Sequence, residues 1–457
     1  MSYINQGLNE NRYDTIIVGA GISGIFTAYS LINCKPNEKI LIIEKGKPLS
    51  KRLCPLEVGL AEYCRDCKVC NKYCGFGGLG KSEGKYNFTT DFGGALQDKI
   101  GTATTKEFLK QAENTICKYS QNSGVIYDTY SNLIYTKAKL ENVKPLFSNV
   151  RHLGLKNSVS MLGGIFDFLR NRVKFIFDTE VDEIIKNNQF IIKTKDQDFI
   201  AKKVVIAVGS NGSKSMGNML DSFKLATENY RVDLGIRVET KAKMFKQILE
   251  KVPEFKISCD YNNETAYTYC MNPYGYIVNK NINNFVFVDG QNYNERGKKS
   301  DRLNFTIFVP SFFDTLKEME NSTKSVLESI NIDGVKIAVQ KWNDFNRGKP
   351  TSKEDLANNT ITPEVEVYPT NLLNILPKKY TDGVRVIMQS IEKIVGNKFH
   401  DDTLLYALDA KLYCPIIKTS IDFQTDIEGL YLVGDCSGVT WSLSQACANG
   451  LYLGRRL

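Results

Sequence analysis

Histidine is nearly missing from this chain. Its 457 residues include two, His152 and His400, so imidazole proton donors are scarce. No run of 18 apolar residues occurs, which excludes a membrane-spanning helix from the reading. The first residues, Met1-Ser2-Tyr3-Ile4-Asn5, offer neither a basic segment nor an apolar one, so no secretory signal is expected and the setting is read as cytoplasmic. No internal repeat is visible. The charge excess is small. A net +8 permits an acidic ligand or partner, while surplus lysine on a solvated surface accounts for it without nucleic acid.

What is present is more pointed. The length exceeds one ordinary core, so two domains are expected. Hydrophobic residues at 42% and charged residues at 24% lie in the globular range. The stretch Tyr13 to Glu44 organises the chain. Ile16-Ile17-Val18 is a short apolar run that ends at Gly19, as a buried parallel strand would. Gly19-Ala20-Gly21-Ile22-Ser23-Gly24 follows, then a helical stretch, then Lys39-Ile40-Leu41-Ile42-Ile43-Glu44. Gly19 allows a tight turn, Gly21 lets backbone approach a pyrophosphate, and Gly24 lets helix and strand pack closely. The helix start at Ser23 points free N–H groups at phosphate. Glu44 follows Gly24 by 20 residues and is placed to accept from ribose hydroxyls. This is a dinucleotide site, and by itself it does not separate FAD from NAD.

A basic loop comes next, in which Lys45 or Arg52 is placed to meet phosphate, against the plainer reading of a solvated charge run. Five of the twelve cysteines then fall between Cys54 and Cys74. Cys64, Cys67, Cys70 and Cys74 have the spacing C-x2-C-x2-C-x3-C, which resembles a ferredoxin ligand run. An iron–sulfur cluster, a structural zinc, a redox dithiol and simple reduced thiols all remain open for these residues. The glycine-dense stretch Gly75 to Tyr86, with Gly77 and Gly78, suits close approach to a flat ring.

Further on, Thr105 to Tyr119 and Ser158 to Val173 read as helices, Phe175 to Val181 as a strand, and Phe190–Thr194 with Phe199–Ala201 as a hairpin. Val204 to Val208 is a buried strand ending at Gly209. Between 221 and 403 the texture changes to period-two runs with Asn-rich turns, the mark of antiparallel strands. Gly429 to Asp435 is a strand ending in Gly434-Asp435, and a helix follows from Ser442. The fold class expected is α/β: a Rossmann-like FAD-binding domain built from discontinuous segments, 1–220 and 404–457, with an inserted α+β domain at 221–403 containing antiparallel strands.

The glycine motif, the strand ending at Val208-Gly209 and Leu432-Val433-Gly434-Asp435 together resemble the FAD superfamily that contains glutathione reductase and the succinate dehydrogenase flavoprotein. The resemblance implies that Asp435 binds a ribityl hydroxyl and that the helix from Ser442 points at the flavin. A closer resemblance covers nearly the whole chain. The run Cys64–Lys85, Leu234 to Glu239, Cys270-Met271-Asn272-Pro273 and Asp344 to Gly348 are similar to a poorly characterised family of bacterial and archaeal FAD-dependent dehydrogenases. The family pattern Phe-Ser-Asp-Gly-Lys is here Lys81-Ser82-Glu83-Gly84-Lys85, and an N-terminal region common in the family is missing. The expected cofactor contacts are Gly19, Gly21, Ser23, Gly24, Glu44, Lys45, Arg52, Gly77, Gly78, Val181, Gly209, Gly434, Asp435 and Ser442. No second good GxGxxG exists, so reducing equivalents are expected from NAD(P)H or a ferredoxin-like protein. The expected activity is FAD-dependent oxidation or reduction of a small organic substrate at the domain interface, with His152, Arg237, Cys270 and Arg347 as catalytic candidates. The alternative is a flavoprotein acting on a macromolecular redox partner or on RNA.

Overall fold

The computed structural model describes residues 11–55, 58, 60–61, 65, 67–122, 124–210, 222–282, 285–330 and 337–457. The chain forms two compact units. The first takes Met1–Tyr127, Asn149–Glu228 and Tyr413–Leu457, and the second takes Asp128–Ser148 and Asn229–Leu412. Among the described residues no helix is long and apolar enough to cross a membrane.

The first unit begins with β1 (Arg12–Val18), α1 (Ile22–Cys34) and β2 (Ile40–Ile43). Later come β3 (Lys85–Phe88), α2 (Thr102–Tyr119), β4 (Asn149–His152) and α3 (Leu155–Leu169). The strands β5 (Val173–Ile176), β6 (Val181–Lys186), β7 (Phe190–Thr194) and β8 (Asp198–Ile206) complete this part. β1 is apolar on both sides because both faces of its sheet are covered. Ile17 packs with α1 and its neighbours, while Ile16 and Val18 pack with Phe190, Ile192 and Phe199 on the opposite face.

The second unit is built on β9 (Thr227–Lys241), β10 (Lys256–Tyr261), β11 (Glu264–Pro273) and β12 (Arg302–Phe313). Helix α4 (Lys378–Val395) and strand β13 (Leu404–Leu412) follow. The sheet runs Tyr368–Pro369, Ala338–Lys341, β13, β9, β12, β11, β10, Lys144–Leu146. Alternation along β9 divides its faces. Val232, Leu234, Ile236 and Val238 enter a core shared with Val384, Ile387, Met388 and Ile391 of α4. Asp233, Arg237 and Glu239 point the other way and are nevertheless buried.

The chain then returns to the first unit with β14 (Leu430–Leu432) and α5 (Leu443–Arg456). The parallel order is β5-β2-β1-β8-β14. This is third, second, first, fourth, fifth: a Rossmann-like doubly wound sheet, whose ligands sit beyond the carboxyl ends of the strands. The antiparallel pair β6–β7 leads into the first half of β8, and the second half of β8 pairs with β14. Helices α1 and α5 touch backbone to backbone. A Cβ on Gly450 would stand 2.4 Å from the Ser23 carbonyl oxygen, and one on Gly454 would stand 2.4 Å from that of Thr27.

Two boundaries differ from the sequence expectation. β13 lies within the second unit, because it pairs along most of its length with β9. The stretch 128–148, unassigned from sequence, contributes a helix (Asn132–Leu140) and the edge strand Lys144–Leu146, which pairs with β10.

Candidate functional site

The glycine turn after β1 contains three glycines with three different reasons. Gly19 has φ +106°, and a Cβ there would lie 2.5 Å from the carbonyl oxygen of Ala207. At Gly24 a Cβ would lie 2.2 Å from the Gly19 carbonyl oxygen. The protein itself demands both. Gly21 is unlike them. Its φ is −71°, open to any residue, and the nearest atom to an added Cβ is 3.9 Å away. It caps α1 without a side-chain hydrogen bond. The first amides of α1 are therefore available to an anion arriving in front of Gly21. Ser23 is buried, and its hydroxyl lies beside Gly434 rather than at the mouth of the turn.

Glu44 ties this turn to the second glycine stretch. One carboxylate oxygen accepts from the Ala20 amide at 2.7 Å; the other accepts from Gly46 at 2.8 Å and Gly75 at 3.0 Å. A carboxylate offers about four lone-pair positions, so three are already used by backbone. Glu44 thus holds the loops together, and one position is left to the expected ribose contact. Gly77 donates to the Ala20 carbonyl at 2.7 Å and bridges to Gly21. Gly78 follows at φ +50° with its Cα region against Gly21. The two glycine stretches, separate in sequence, make one surface.

Arg52 is likewise turned to the protein's own backbone. It is 1% exposed, and its guanidinium donates to the carbonyls of Asn71, Lys72, Phe76 and Gly78. Those bonds pin the end of the cysteine-rich loop. Lys45 is half-buried, and its charge is felt at Cys74.

At the far side of the sheet, Gly434 has φ +77° and donates to Asn449 Oδ1 at 2.7 Å. Asn449 Nδ2 is buried and has no hydrogen-bond partner among the described residues. Asp435 accepts a hydrogen bond from Thr440 at 3.2 Å. Burial pushes its carboxyl up to about 7, against the opposing pull of Thr440. Such a carboxyl gains from further donors. Ser442 caps α5 by accepting from the Gln445 amide, so its hydroxyl serves the helix. Gly209, at φ +62°, has nothing within 4 Å of an added Cβ. Val181 packs at the rim of the core around Ile16 and Ile206. Asn449 and Thr440 were not anticipated. Asn449 did carry a signal, as a polar residue on an otherwise small or apolar helix face.

An FAD fits these residues. The phosphate end has free helix amides before an unobstructed Gly21, and the ribityl end has a half-buried Asp435 with one side-chain partner, Thr440, among the described residues.

The four catalytic candidates are divided between the two units. His152, on β4, lies 3.6 Å from the Glu83 carboxylate in the first unit. Arg237 and Cys270 do meet in the second unit. Arg237 is fully buried and donates to the Cys270 carbonyl, to Asn304, to Thr306 and to Asp409. Asp289 lies 3.4 Å away. Burial raises the Asp409 carboxyl, and Arg237 pulls it back down. With its donors engaged this way, Arg237 organises β9, β11, β12 and β13. Arg347 is exposed at the end of the short helix Trp342–Asn346.

Of the cysteine run, the structure describes Cys67, Cys70 and Cys74. Cys64 lies outside the described residues. Cys67 is exposed, Cys70 and Cys74 are half-buried, and among the described residues no three of His, Cys, Asp or Glu gather as a metal-binding group. The iron–sulfur expectation is therefore not supported.

Residues 232–411 match the family model described as FAD-dependent protein, C-terminal domain-like. The match lies within the second unit, Asn229–Leu412. No curated protein matches the sequence. Several solved structures are similar. A mutant of E. coli quinol fumarate reductase FrdA has 14% identity and TM-score 0.40, covering 97% of this chain and 69% of that one. Glycine oxidase from Geobacillus kaustophilus has 12% identity and TM-score 0.37, covering 98% and 95%. L-alpha-glycerophosphate oxidase from Mycoplasma pneumoniae, with FAD bound, has 11% identity and TM-score 0.40, covering 98% and 95%.

Proposed function

We propose that the chain is an FAD-dependent oxidoreductase that transfers a hydride or electrons between bound flavin and a small organic substrate. The observation that carries this reading is the pairing of an unobstructed helix start at Gly21 with the half-buried, under-bonded carboxyl of Asp435. The match of the second unit to an FAD-dependent family module supports it. Flavin, when bound, supplies the redox chemistry. The chain's own residues bind and orient. The amides of α1 hold phosphate charge, Glu44 and Arg52 fix the loops that line the turn, and Asp435 accepts from a hydroxyl. A cytoplasmic setting, with NAD(P)H or a ferredoxin-like protein as electron donor, belongs to the same proposal.

Purified protein, with FAD added if needed, is expected to show a flavin band near about 450 nm that NAD(P)H or reduced ferredoxin bleaches without oxygen. Protein that neither retains nor takes up FAD overturns the reading.

A further inference from the structure

The polar face of the second unit's sheet carries an amine that the fold leaves without an acceptor. Lys411 on β13 stands opposite Asp233 on β9. Asp233 is already engaged. Arg231 donates to its two oxygens at 2.8 and 2.9 Å, and the Tyr267 hydroxyl donates to one of them. Asp409, two residues along β13, is held by Arg237 and Thr306. No aspartate of this face is left over for Lys411, whose ammonium group makes no hydrogen bond or ion pair among the described residues.

Instead, Lys411 Nζ lies over the ring of Tyr269, with the Phe308 ring centre 5.2 Å away. Lys256, on β10, approaches the same Tyr269 ring, 5.0 Å from its centre. The two ammonium nitrogens are therefore no farther apart than the sum of their distances to that centre. Tyr267 and Tyr269 are only partly buried, and part of the Lys411 side chain is exposed as well. A second cation on a shared aromatic wall, with no acceptor for Lys411, is an arrangement an anion would complete.

We propose that this corner is a binding subsite for a small organic carboxylate with an apolar or aromatic body. The carboxylate sits between Lys411 and Lys256, and the body lies against Tyr267 and Tyr269. The binding does not rest on the redox reading; the assignment of the carboxylate as the substrate's chemical class does.

The test is calorimetric titration of the flavin-loaded protein with phenylacetate, and with phenylacetamide as its uncharged counterpart. Saturable binding of phenylacetate alone is expected. Lys411→Gln should weaken it roughly 10- to 100-fold, as loss of a charge-assisted hydrogen bond does. Lys411→Arg, which keeps the charge, should retain it and controls for folding. Removal from water pushes Lys411 down to about 7; Lys256 acts in the same direction, and Asp233, Asp409 and Cys270 oppose it. Arg231, Arg237, Tyr267 and Tyr269 also face this corner. Phenylacetate affinity should therefore fall as pH rises through about 7 in the wild type and stay flat in Lys411→Arg. Equal binding of phenylacetamide, no saturable phenylacetate binding, or an unchanged affinity in Lys411→Gln would overturn the proposal. Flavin absorbance, read in the same samples, separates this failure from failure of the redox reading.

Discussion

Replacing Gly21 by alanine separates what the fold needs from what the cofactor needs. In the protein alone the new Cβ meets nothing closer than 3.9 Å, and the backbone φ of −71° suits alanine. Two small effects then oppose each other. Alanine is a poorer helix cap than glycine by up to about 1 kcal/mol. It also reduces unfolded-state freedom, which returns about 0.4–1 kcal/mol. Stability of the flavin-free protein should therefore change by no more than about 1 kcal/mol. On the proposed site, the methyl group would stand where the pyrophosphate approaches. Overpacking of that kind costs about 1–3 kcal/mol, or roughly 5- to 150-fold in Kd. Gly19→Ala is the contrast. Its Cβ would lie 2.5 Å from a carbonyl oxygen at φ +106°, so the loss appears in folding itself, more than about 3 kcal/mol. Urea unfolding of flavin-free protein and fluorescence titration with FAD read the two quantities separately. If Gly21→Ala binds FAD as tightly as the wild type, or unfolds as readily as Gly19→Ala, the assignment of the turn is wrong.

Three further outcomes follow from the geometry. Asp435 is held near about 7 in the folded protein, above the ordinary value near 4, so the folded state binds more protons between those limits. Its contribution to stability is complete below about pH 4 and is lost as pH rises through about 7, a change of about 4 kcal/mol in flavin-free protein; Asp435→Asn should abolish this difference in urea unfolding across pH 5 to 8. Arg237→Met leaves Asp409 buried without its cation and should cost about 3–5 kcal/mol, with the Arg237→Met/Asp409→Asn double variant losing less than the sum of the singles in a denaturant cycle. Gly454→Ala drives a methyl against the Thr27 carbonyl and should cost about 1–3 kcal/mol by thermal unfolding, whereas Gly163→Ala, with nothing within 4 Å, should be neutral or slightly stabilising.

The βαβ start of the chain was readable because glycine spacing and an apolar run are local signals, and the structure places β1, α1 and β2 where those signals put them. The antiparallel strands of the second unit were readable for the same reason, through period two in Val232 to Val238. Glu44 shows where such reading ends. Its spacing from Gly24 is as compatible with gripping the amides of Ala20, Gly46 and Gly75 as with a ribose contact, and only the third dimension decides. Arg52 is similar: in sequence it is one more basic residue in a basic loop. The assignment of 128–148 to the second unit had no sequence signal, because it depends on a short edge strand pairing with β10. Asp409 and Lys411 alternate with Leu408 and Ala410 along β13, but the sequence reading assigned no strand there, and their partners lie on other strands.

The packing of α1 against α5 also has a consequence in time. Gly450 and Gly454 seat the last helix on the backbone of the first, and Asn449 anchors the turn at Gly434. During synthesis, β1, α1 and β2 emerge early, while β14 and α5 emerge only after the whole second unit. A ribosome-bound chain therefore carries the glycine turn, with one flank of its sheet and helix layer bare, until residues 430–456 arrive. The second unit is continuous apart from residues 128–148 and can fold during that wait. Completion of the nucleotide-binding sheet then becomes a late event that waits on residues 430–456, and a nascent chain arrested before residue 430 should fail to capture flavin.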